Sequence, residues 1–237
     1  MYIKTIIFDL DGTLVDSNEA HAISWVQAYK LVGYGDISIE TVLKYIGIRG
    51  DLITEKVLGR EALKDYKRIR FYKDKVFLKL LREGYITLFP EVYDVLKVLR
   101  SYGVKLCVAT STSIPLLITM LEYFNIMNYF DVLVAGEEVR RSKPEPDLYL
   151  EALKRAKTDG KDALIVGDSE YDVIPAKAVG ATTVLVMRDN SKKELSVNPD
   201  YVVKDLIDLV KNVLKLKFNY SYLKASTGLS FDALHDG

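Results

Sequence analysis

The sequence has almost no cysteine and no excess of charge of either sign. Lysine and arginine total 33, aspartate and glutamate total 33, and one cysteine occurs in 237 residues. Without net charge there is no overall electrostatic field to hold nucleic acid or an anionic membrane surface, so we expect neither as a partner. The single Cys107 lies in an apolar run without a disulfide partner, which favours a core position and a reducing, cytoplasmic compartment.

Long hydrophobic segments are also missing. Lys4 comes too early, and the apolar run 5–8 is too short, for a signal peptide. No stretch approaches the roughly 20 apolar residues of a membrane span, so we expect no membrane association. The length instead suits one large α/β domain, or one such domain with a smaller domain inserted into it.

Short runs rich in β-branched residues alternate with longer helical patterns along the chain. Such runs are typical of buried parallel strands, and they cover residues 4–8, 105–109, 131–135, 163–166 and 183–186. Two sets of apolar residues are spaced as single helix faces: Val92, Val95, Leu96 and Leu99, and later Leu206, Leu209, Val210, Val213 and Leu214. This alternation predicts an α/β fold with a doubly wound, Rossmann-like parallel sheet.

The connection after the first predicted strand is unusually long. No second strand signal follows Thr13 until about Lys105, which is far beyond an ordinary connection. The intervening chain reads as helices, because Ser17 suits a helix N-cap. A stripe of apolar residues at helical spacing supports this reading and consists of Ile69, Tyr72, Val76 and Leu80.

These signals predict the division of the chain into domains. Gly84 and Pro90 mark the return from the helices, and Pro90 would open the helix that contains Val92. We predict an α/β core and an inserted α-helical cap, followed by an extension of unknown role. The core comprises residues 1–16 and 87–217, the cap residues 17–86, and the extension residues 218–237.

Acidic side chains directly follow two of the predicted strands. Asp9 and Asp11 follow the first, and Asp168, with Asp172 close behind, follows the fourth. The carboxyl ends of neighbouring parallel strands open onto one crevice, so these carboxylates should lie together. Two carboxylates about 4 Å apart repel by roughly 4 kcal/mol at an effective dielectric near 20, which a divalent cation would relieve. Oxygen ligands without a histidine select Mg²⁺ rather than zinc.

Groups suited to an anion lie at the other strand ends. Lys143 offers a positive charge, Thr110 and Ser111 offer hydroxyl and amide donors, and Gly12 lets the backbone approach a bound anion. We therefore expect a phosphate site beside the metal.

Four segments resemble the motifs of the haloacid dehalogenase superfamily, in the correct order. Asp9-Leu10-Asp11-Gly12-Thr13 resembles its first motif, Thr110 its second, Lys143 in Ser142-Lys143-Pro144 its third, and Gly167-Asp168 with Asp172 its fourth. A helical insert directly after the first motif is similar to the first cap class of that superfamily, as in its phosphoglycolate phosphatase and β-phosphoglucomutase-like members.

The resemblance implies a role for each matching residue. Asp9 would attack phosphorus and form an aspartyl-phosphate that water then hydrolyses, with Asp11 as the acid and base. Mg²⁺ would be held by the Asp9 carboxylate, the Asp11 backbone carbonyl and Asp168. Lys143, Thr110 and nearby amides would stabilise the phosphoryl charge.

Each of these residues also has an ordinary structural reading. Asp-x-Asp-Gly invites comparison with a calcium loop, but counting from Asp9 puts Leu14 and Ala20 where that loop needs glycine and glutamate. Thr110 could merely satisfy local backbone groups. Asp172 either orients Lys143 or the metal ligands from outside, or is an exposed acid favoured by a helix dipole.

Two residues of the predicted cap are candidates for contact with substrate. His21 is either packed beside Trp25 or faces the substrate, and Arg49, in a loop between glycines, could fork onto a second phosphate or carboxylate.

Three functions stay open at this point. The first is a Mg²⁺-dependent phosphatase acting on a small phosphorylated metabolite, of the sugar phosphate or phosphoglycolate type, and Thr13 favours it. The second is a β-phosphoglucomutase-like phosphomutase, a kind that has a histidine placed like His21 but usually valine at the place of Thr13 and an arginine one step after Arg49. The third is a phosphate-accepting regulatory domain without enzymatic activity, which would lack the helical insert. Substrate identity and oligomeric state are left open.

Overall fold

The computed structural model describes residues 3–188 and 195–216. Six strands form one parallel sheet in the order β5-β4-β1-β6-β7-β8. Their bounds are β1 Thr5–Phe8, β4 Lys105–Thr110, β5 Val132–Ala135, β6 Ala163–Gly167, β7 Thr182–Val186 and β8 Tyr201–Val203. The five predicted strands are confirmed to within a residue or two, whereas the edge strand β8 was not predicted.

Helices cover both faces of this sheet. They are α5 Val92–Ser101, α6 Ile114–Tyr123, α7 Asp147–Ala156, α8 Glu170–Ala178 and α9 Leu206–Asp208, which continues as a π-helical turn over Leu209–Val213. Short 3-10 turns lie at Met127–Tyr129, Gly136–Glu138 and Gly160–Asp162. Because side chains alternate along a strand, Ile6 and Phe8 pack with α5, α6 and α9, whereas Ile7 packs with α7 and α8. The doubly wound α/β architecture is therefore confirmed.

Helices also fill the chain between β1 and β4. These are α1 Asn18–Val32, α2 Ile39–Leu43, α3 Gly50–Leu58 and α4 Tyr66–Arg82, with a 3-10 turn at Arg60–Asp65. They build a small core of their own around Trp25, Tyr29 and Ile69. We call this group the helical insert. Its division from the sheet domain at residues 17 and 86 stays a prediction.

The buried face of α4 differs from the predicted stripe. Ile69 is buried as expected, but its fully buried companions are Lys73, Phe77 and Leu81, while Tyr72, Val76 and Leu80 are only partly buried. After Ile69 the predicted apolar stripe runs one residue ahead of the buried face, because a hydrophobic pattern does not include a lysine among buried positions.

A two-stranded antiparallel ribbon joins the insert to the sheet domain. Its strands are β2 Val15–Asp16 and β3 Thr87–Leu88, paired Val15 with Leu88 and Asp16 with Thr87. The prediction that no strand lies between Thr13 and Lys105 was therefore wrong. Two-residue strands are too short to show a period, and they form only because the chain leaves and returns at the same place.

The outcomes of the other local predictions differ from residue to residue. Ser17 does stand at the N-cap position of α1, but its hydroxyl makes no capping hydrogen bond. Pro90 lies two residues before the first helical residue of α5. Cys107 is fully buried in the sheet. The predicted extension 218–237 lies outside the described residues. Within the described residues, no helix combines the length and the apolar character that a membrane span requires.

Candidate active site

The site lies where three neighbouring strands end. Asp9 directly follows β1, Thr110 ends β4, and Asp168 directly follows β6. The central strand β1 pairs with β4 on one side and β6 on the other, and the backbone N–H of Asp9 donates to the carbonyl of Val166 at 2.8 Å. Strands are added to one side of β1 as far as β5 and to its other side from β6 onward, so the strand order switches at β1. Open α/β sheets form their crevice at such a switch point.

Asp9, Lys143 and Asp172 form a buried chain of ion pairs. Lys143 Nζ lies 2.6 Å from Asp9 Oδ1 and 2.6 Å from Asp172 Oδ1. All three side chains are almost completely buried, and the hydroxyl of Tyr149 donates to Asp172 Oδ1 at 2.8 Å. Asp172 is thus a partner of Lys143, and the alternative of an exposed acid at a helix N-terminus was wrong.

Burial and the neighbouring charges together shift the pKa values in this chain of ion pairs. Burial raises the pKa of Asp9 well above its ordinary value, and the charges of Asp172, Asp11 and Asp168 add to this, while Lys143 acts in the opposite direction. Burial would lower the pKa of Lys143, but Asp172 and Asp9 outweigh it and raise that pKa well above its usual range. Lys143 is therefore a permanent cation whose position keeps Asp9 closer to its ionised form.

An acidic cluster of the right composition for a hard divalent cation lies beside Asp9. Carboxylate oxygens of Asp9, Asp168 and Asp172 lie within 4.8 Å of one another. Asn18 Nδ2 donates to Asp168 Oδ2 at 2.8 Å and so orients that carboxylate, while Asn18 Oδ1 is buried without a hydrogen-bond partner. An all-oxygen donor set with an unused buried amide oxygen fits Mg²⁺.

Gly12 is required by its surroundings. Its φ is +74°, and a Cβ at this position would lie 2.2 Å from Asp168 Oδ2 and 2.4 Å from Asn18 Nδ2. Any side chain here would displace the acidic cluster, so the predicted need for close backbone approach has a direct structural basis.

The Asp11 carboxylate is not part of this cluster and is held by four side chains. Its Oδ1 accepts from Ser17 Oγ at 2.6 Å and from His21 Nε2 at 2.9 Å. Its Oδ2 accepts from Thr112 Oγ1 at 2.7 Å and more weakly from Thr110 Oγ1 at 3.4 Å. Burial alone would raise the pKa of Asp11, but His21 and the hydroxyl donors hold it well below its usual range.

His21 is packed, as the first of its two alternatives expects, whereas its contact with substrate stays a prediction. It is buried, its ring stacks on Phe77 with 4.2 Å between centroids, and it also contacts Asp11. Burial and the nearby charge of Lys73 lower the pKa of His21 below its ordinary value. Near neutral pH we therefore assign the imidazole as neutral, with its proton on Nε2, because an ionised Asp11 can only accept.

The hydroxyl side chains at the end of β4 and in the loop after it make different contacts from those predicted. Thr110 Oγ1 accepts from the backbone N–H of Thr112 at 3.1 Å, which is the local role considered for it, besides its long contact with Asp11. Ser111 Oγ donates to the carbonyl of Gly47 at 2.7 Å and so links the insert to the sheet domain. The strongest hydroxyl contact with Asp11 from this loop comes from Thr112, which was not predicted.

A pocket of about 240 Å³ opens onto Asp9 and Asp11 between the sheet domain and the insert. Three cationic side chains line it, namely Arg49, Arg70 and Lys73. The guanidinium of Arg49 already forks onto Asp51, with 2.7 Å from Nε to Oδ1 and 2.8 Å from Nη2 to Oδ2. Arg49 thus lies at the pocket as expected, but its fork is occupied by a carboxylate of the protein itself.

Most of the sequence matches the model of one known protein family. The model of the haloacid dehalogenase-like hydrolases matches residues 6–186. The chain belongs to the haloacid dehalogenase-like hydrolase family.

Individual relatives and a solved structure are similar to this chain over most of its length. The chain is 35% identical to PpaX of Caldanaerobacter subterraneus subsp. tengcongensis, named provisionally as a pyrophosphatase, with 89% of this chain and 94% of the relative covered. It is 32% identical to a phosphoglycolate phosphatase of Aquifex aeolicus, with 88% and 96% covered. The crystal structure of CbbY from Rhodobacter sphaeroides in complex with phosphate superposes with a TM-score of 0.76 at 25% identity, covering 87% of this chain and 96% of that one.

Family membership decides the broad class of activity. This haloacid dehalogenase-like hydrolase is an enzyme of the phosphatase kind, so the regulatory, non-enzymatic alternative is not retained. Mg²⁺ is typical of the family, and the acidic cluster of Asp9, Asp168 and Asp172 is the place in the described residues that would suit it.

Several residues of the site were not found from the sequence. They are Ser17, Asn18, Lys73, Thr112 and Tyr149. Only Thr112 had a usable signal, since it belongs to the run Thr110-Ser111-Thr112-Ser113 after a strand. The others lie on helices where hydroxyl, amide and lysine side chains carry no distinguishing pattern.

Proposed function

We propose that the protein is a Mg²⁺-dependent phosphatase that hydrolyses a small phosphate monoester through an aspartyl-phosphate on Asp9. One observation carries this proposal: Asp9 is the residue shared by the ion pair with Lys143 and the acidic cluster with Asp168. A nucleophilic carboxylate needs a cation and a fixed ammonium next to it, because charge accumulates on the phosphoryl oxygens during transfer.

The metal ligands follow from the acidic cluster. Asp9 and Asp168 would hold Mg²⁺, with the backbone carbonyl of Asp11 as the third protein ligand. Asp172 lies within the same cluster, but its Oδ1 is engaged by Lys143 and Tyr149, so we assign it to holding Lys143. When bound, Mg²⁺ would supply charge neutralisation for the phosphoryl group and for Asp9.

Side chains of the protein carry out the two steps of phosphoryl transfer. In the first half Asp9 attacks phosphorus, the bond to the leaving oxygen breaks, and Asp11 in its protonated form gives its proton to that oxygen. Lys143 Nζ and the amides of the loop after Thr110 neutralise the phosphoryl oxygens. In the second half a water attacks the aspartyl-phosphate, and Asp11 takes its proton. The hydrogen bonds from Ser17, His21 and Thr112 favour the ionised Asp11 that this half requires.

The substrate is small. The pocket volume of about 240 Å³ lies below the usual 300–1,000 Å³ of ligand pockets, so few atoms beyond the phosphate can be enclosed. We further propose that residues 17–86 act as a cap that selects the substrate, since the insert supplies Arg49 and Lys73 to the pocket. The phosphoglycolate phosphatase of Aquifex aeolicus makes a two-carbon phosphate the first compound to assay. A cytoplasmic location stays a prediction from the single cysteine.

A phosphomutase of the β-phosphoglucomutase kind is the second candidate. The hydrogen bond between His21 Nε2 and Asp11 favours it, since that kind shares a histidine at this place in the sequence. Incubation with β-glucose 1-phosphate and a trace of bisphosphate separates the two functions. A phosphatase releases free phosphate, whereas net formation of glucose 6-phosphate would establish the mutase.

The test of the main proposal is phosphate release from an aryl phosphate. We expect activity with Mg²⁺, none with EDTA, and none in Asp9→Asn. Asp16→Asn is the matched control, because Asp16 is an exposed carboxylate of the nearby strand β2. Activity that survives EDTA, or that persists in Asp9→Asn while both variants are folded, would contradict the proposal.

A further inference from the structure

Lys73 is the one of the three pocket cations whose charge is least well satisfied. Its side chain is only 6% exposed, and its ion-pair partner Asp74 Oδ1 lies 3.6 Å from Nζ, beyond ordinary hydrogen-bond distance. Asp74 is also shared, since its other oxygen lies 3.6 Å from Arg70 Nε. Burial lowers the pKa of Lys73 to about 8. A buried ammonium without a close counter-ion is costly, so such a group is expected where a ligand brings the missing charge.

The two arginines of the pocket are already committed to acids of the protein. Arg49 is forked onto Asp51 and also donates from Nη1 to the carbonyl of Arg140 at 3.3 Å. Arg70 Nη2 donates to Glu137 Oε2 at 2.9 Å. A substrate anion would have to break these pairs to reach an arginine, whereas the ion-pair partner of Lys73 among the described residues, Asp74, lies 3.6 Å from Nζ.

Rings hold the ammonium of Lys73 beside the reacting groups. Its Nζ lies 4.6 Å from the centroid of Phe77, the ring on which His21 stacks, and 5.6 Å from that of Trp25. His21 in turn contacts Asp11. Lys73 lines the same pocket as Asp9 and Asp11, and the pocket volume of about 240 Å³ leaves room for a short substrate only.

We propose that Lys73 binds a carboxylate carried by the leaving-group part of the substrate, so that the preferred substrates are short phosphate monoesters with one further negative charge. This rests on the proposed phosphatase function, which places the phosphoryl group at Asp9. A carboxylate suits the site better than a second phosphate, because one ammonium faces the pocket while Asp51, Asp74 and Glu137 line it. A dianion would meet more repulsion there than a monoanion.

The first experiment measures binding and needs no turnover. Two phosphonates of equal carbon-chain length are compared by titration calorimetry with Mg²⁺ present: 3-phosphonopropanoate, which ends in a carboxylate, and propylphosphonate, which ends in a methyl group. We expect the carboxylate to bind at least about tenfold more tightly to the wild-type protein, which corresponds to about 1.4 kcal/mol. Equal affinities would overturn the proposal whether or not the enzyme hydrolyses phosphate esters.

The second experiment assigns the preference to a residue. The ratio of kcat/KM for phosphoglycolate to that for ethyl phosphate should fall about tenfold or more in Lys73→Met, mainly through KM. It should be kept in Lys67→Met, a matched control because Lys67 is an exposed lysine of the same helix α4. Thermal unfolding verifies that both variants are folded, and the phosphonate pair decides on wild-type protein if Lys73→Met is not.

Three results of the second experiment would overturn the proposal. If Lys73 served only to support the charge of Asp11, Lys73→Met would slow both substrates equally and leave the ratio unchanged. If the preference persisted in Lys73→Met but disappeared in Arg49→Met, the arginine would be the carboxylate ligand. If pyrophosphate hydrolysis depended on Lys73 as strongly as phosphoglycolate hydrolysis, the site would not be specific for a carboxylate. Absence of any phosphate release would instead contradict the proposed function.

Discussion

Replacing Lys73 by methionine should stabilise the protein, because the wild-type fold buries an ammonium that is poorly compensated. Burial lowers the pKa of Lys73 from 10.5 to about 8, a difference that corresponds to roughly 3 kcal/mol against the charged form at pH 7. The contact of Nζ with the Phe77 ring offsets about 1 kcal/mol of this cost. Methionine fills a similar volume without charge. We therefore expect Lys73→Met to raise the free energy of unfolding by about 2 kcal/mol.

The assay is urea denaturation of both proteins at several pH values. Below pH 8 Lys73 is protonated in the folded and unfolded states, so the full cost is present and the difference between the two proteins is largest. Between pH 8 and 10.5 the folded wild-type protein has lost this proton while the unfolded chain keeps it. The unfolded state then binds more protons, so wild-type stability rises with pH and the advantage of Lys73→Met shrinks.

The size of the effect can also be read from thermal unfolding. For a chain of this length 1 kcal/mol corresponds to roughly 2–4 °C in Tm, so we expect an increase of about 4–8 °C at pH 7. The opposite sign would refute the reasoning. A Lys73→Met variant destabilised by about 1 kcal/mol or more at pH 7, or a stability difference that does not change with pH, would mean that the ammonium is well compensated in the free enzyme.

Two further substitutions test the geometry of the site. Gly12→Ala places a Cβ 2.2 Å from Asp168 Oδ2 at a φ of +74°, so we expect a loss of kcat on the order of 100-fold from displaced ligands; wild-type kcat would contradict the close approach. Lys143→Met leaves Asp9 and Asp172 buried without their cation, so urea denaturation should show about 3–5 kcal/mol of destabilisation. Lys154→Met, at an exposed lysine, serves as its control, and equal effects would argue against the buried ion pairs.

Much of the sheet was predictable because burial on both faces leaves a continuous apolar run in the sequence. Residues 163–166 and 183–186 are of this kind and were placed correctly. The edge strand Tyr201–Val203 was missed because its first two residues are exposed and the run is short. The face of α4 was placed one residue too early for a different reason. Lys73 is buried at the pocket, and hydrophobic periodicity does not identify a buried lysine.

The positions of three candidate site residues were predictable because each stands at the end of a strand. Asp9, Thr110 and Asp168 are fixed by the ends of β1, β4 and β6, so locating the strands located them. The hydrogen-bond partners of the site carboxylates come from elsewhere in the chain. Tyr149 of α7 donates to Asp172, and Asn18 donates to Asp168, which is 150 positions away in the sequence. Spacing along the chain carries no information about such contacts, because the tertiary fold creates them.

The antiparallel ribbon of β2 and β3 has a consequence for how this enzyme could change. The chain leaves the sheet domain and returns to it at residues that are paired across the ribbon, Val15 with Leu88 and Asp16 with Thr87. A segment whose two ends are already adjacent can be exchanged for another of different length with little disturbance to its host. The substrate preference that we propose for the insert would thus be exchangeable as a module, while the strand ends that carry Asp9, Thr110 and Asp168 stay as they are.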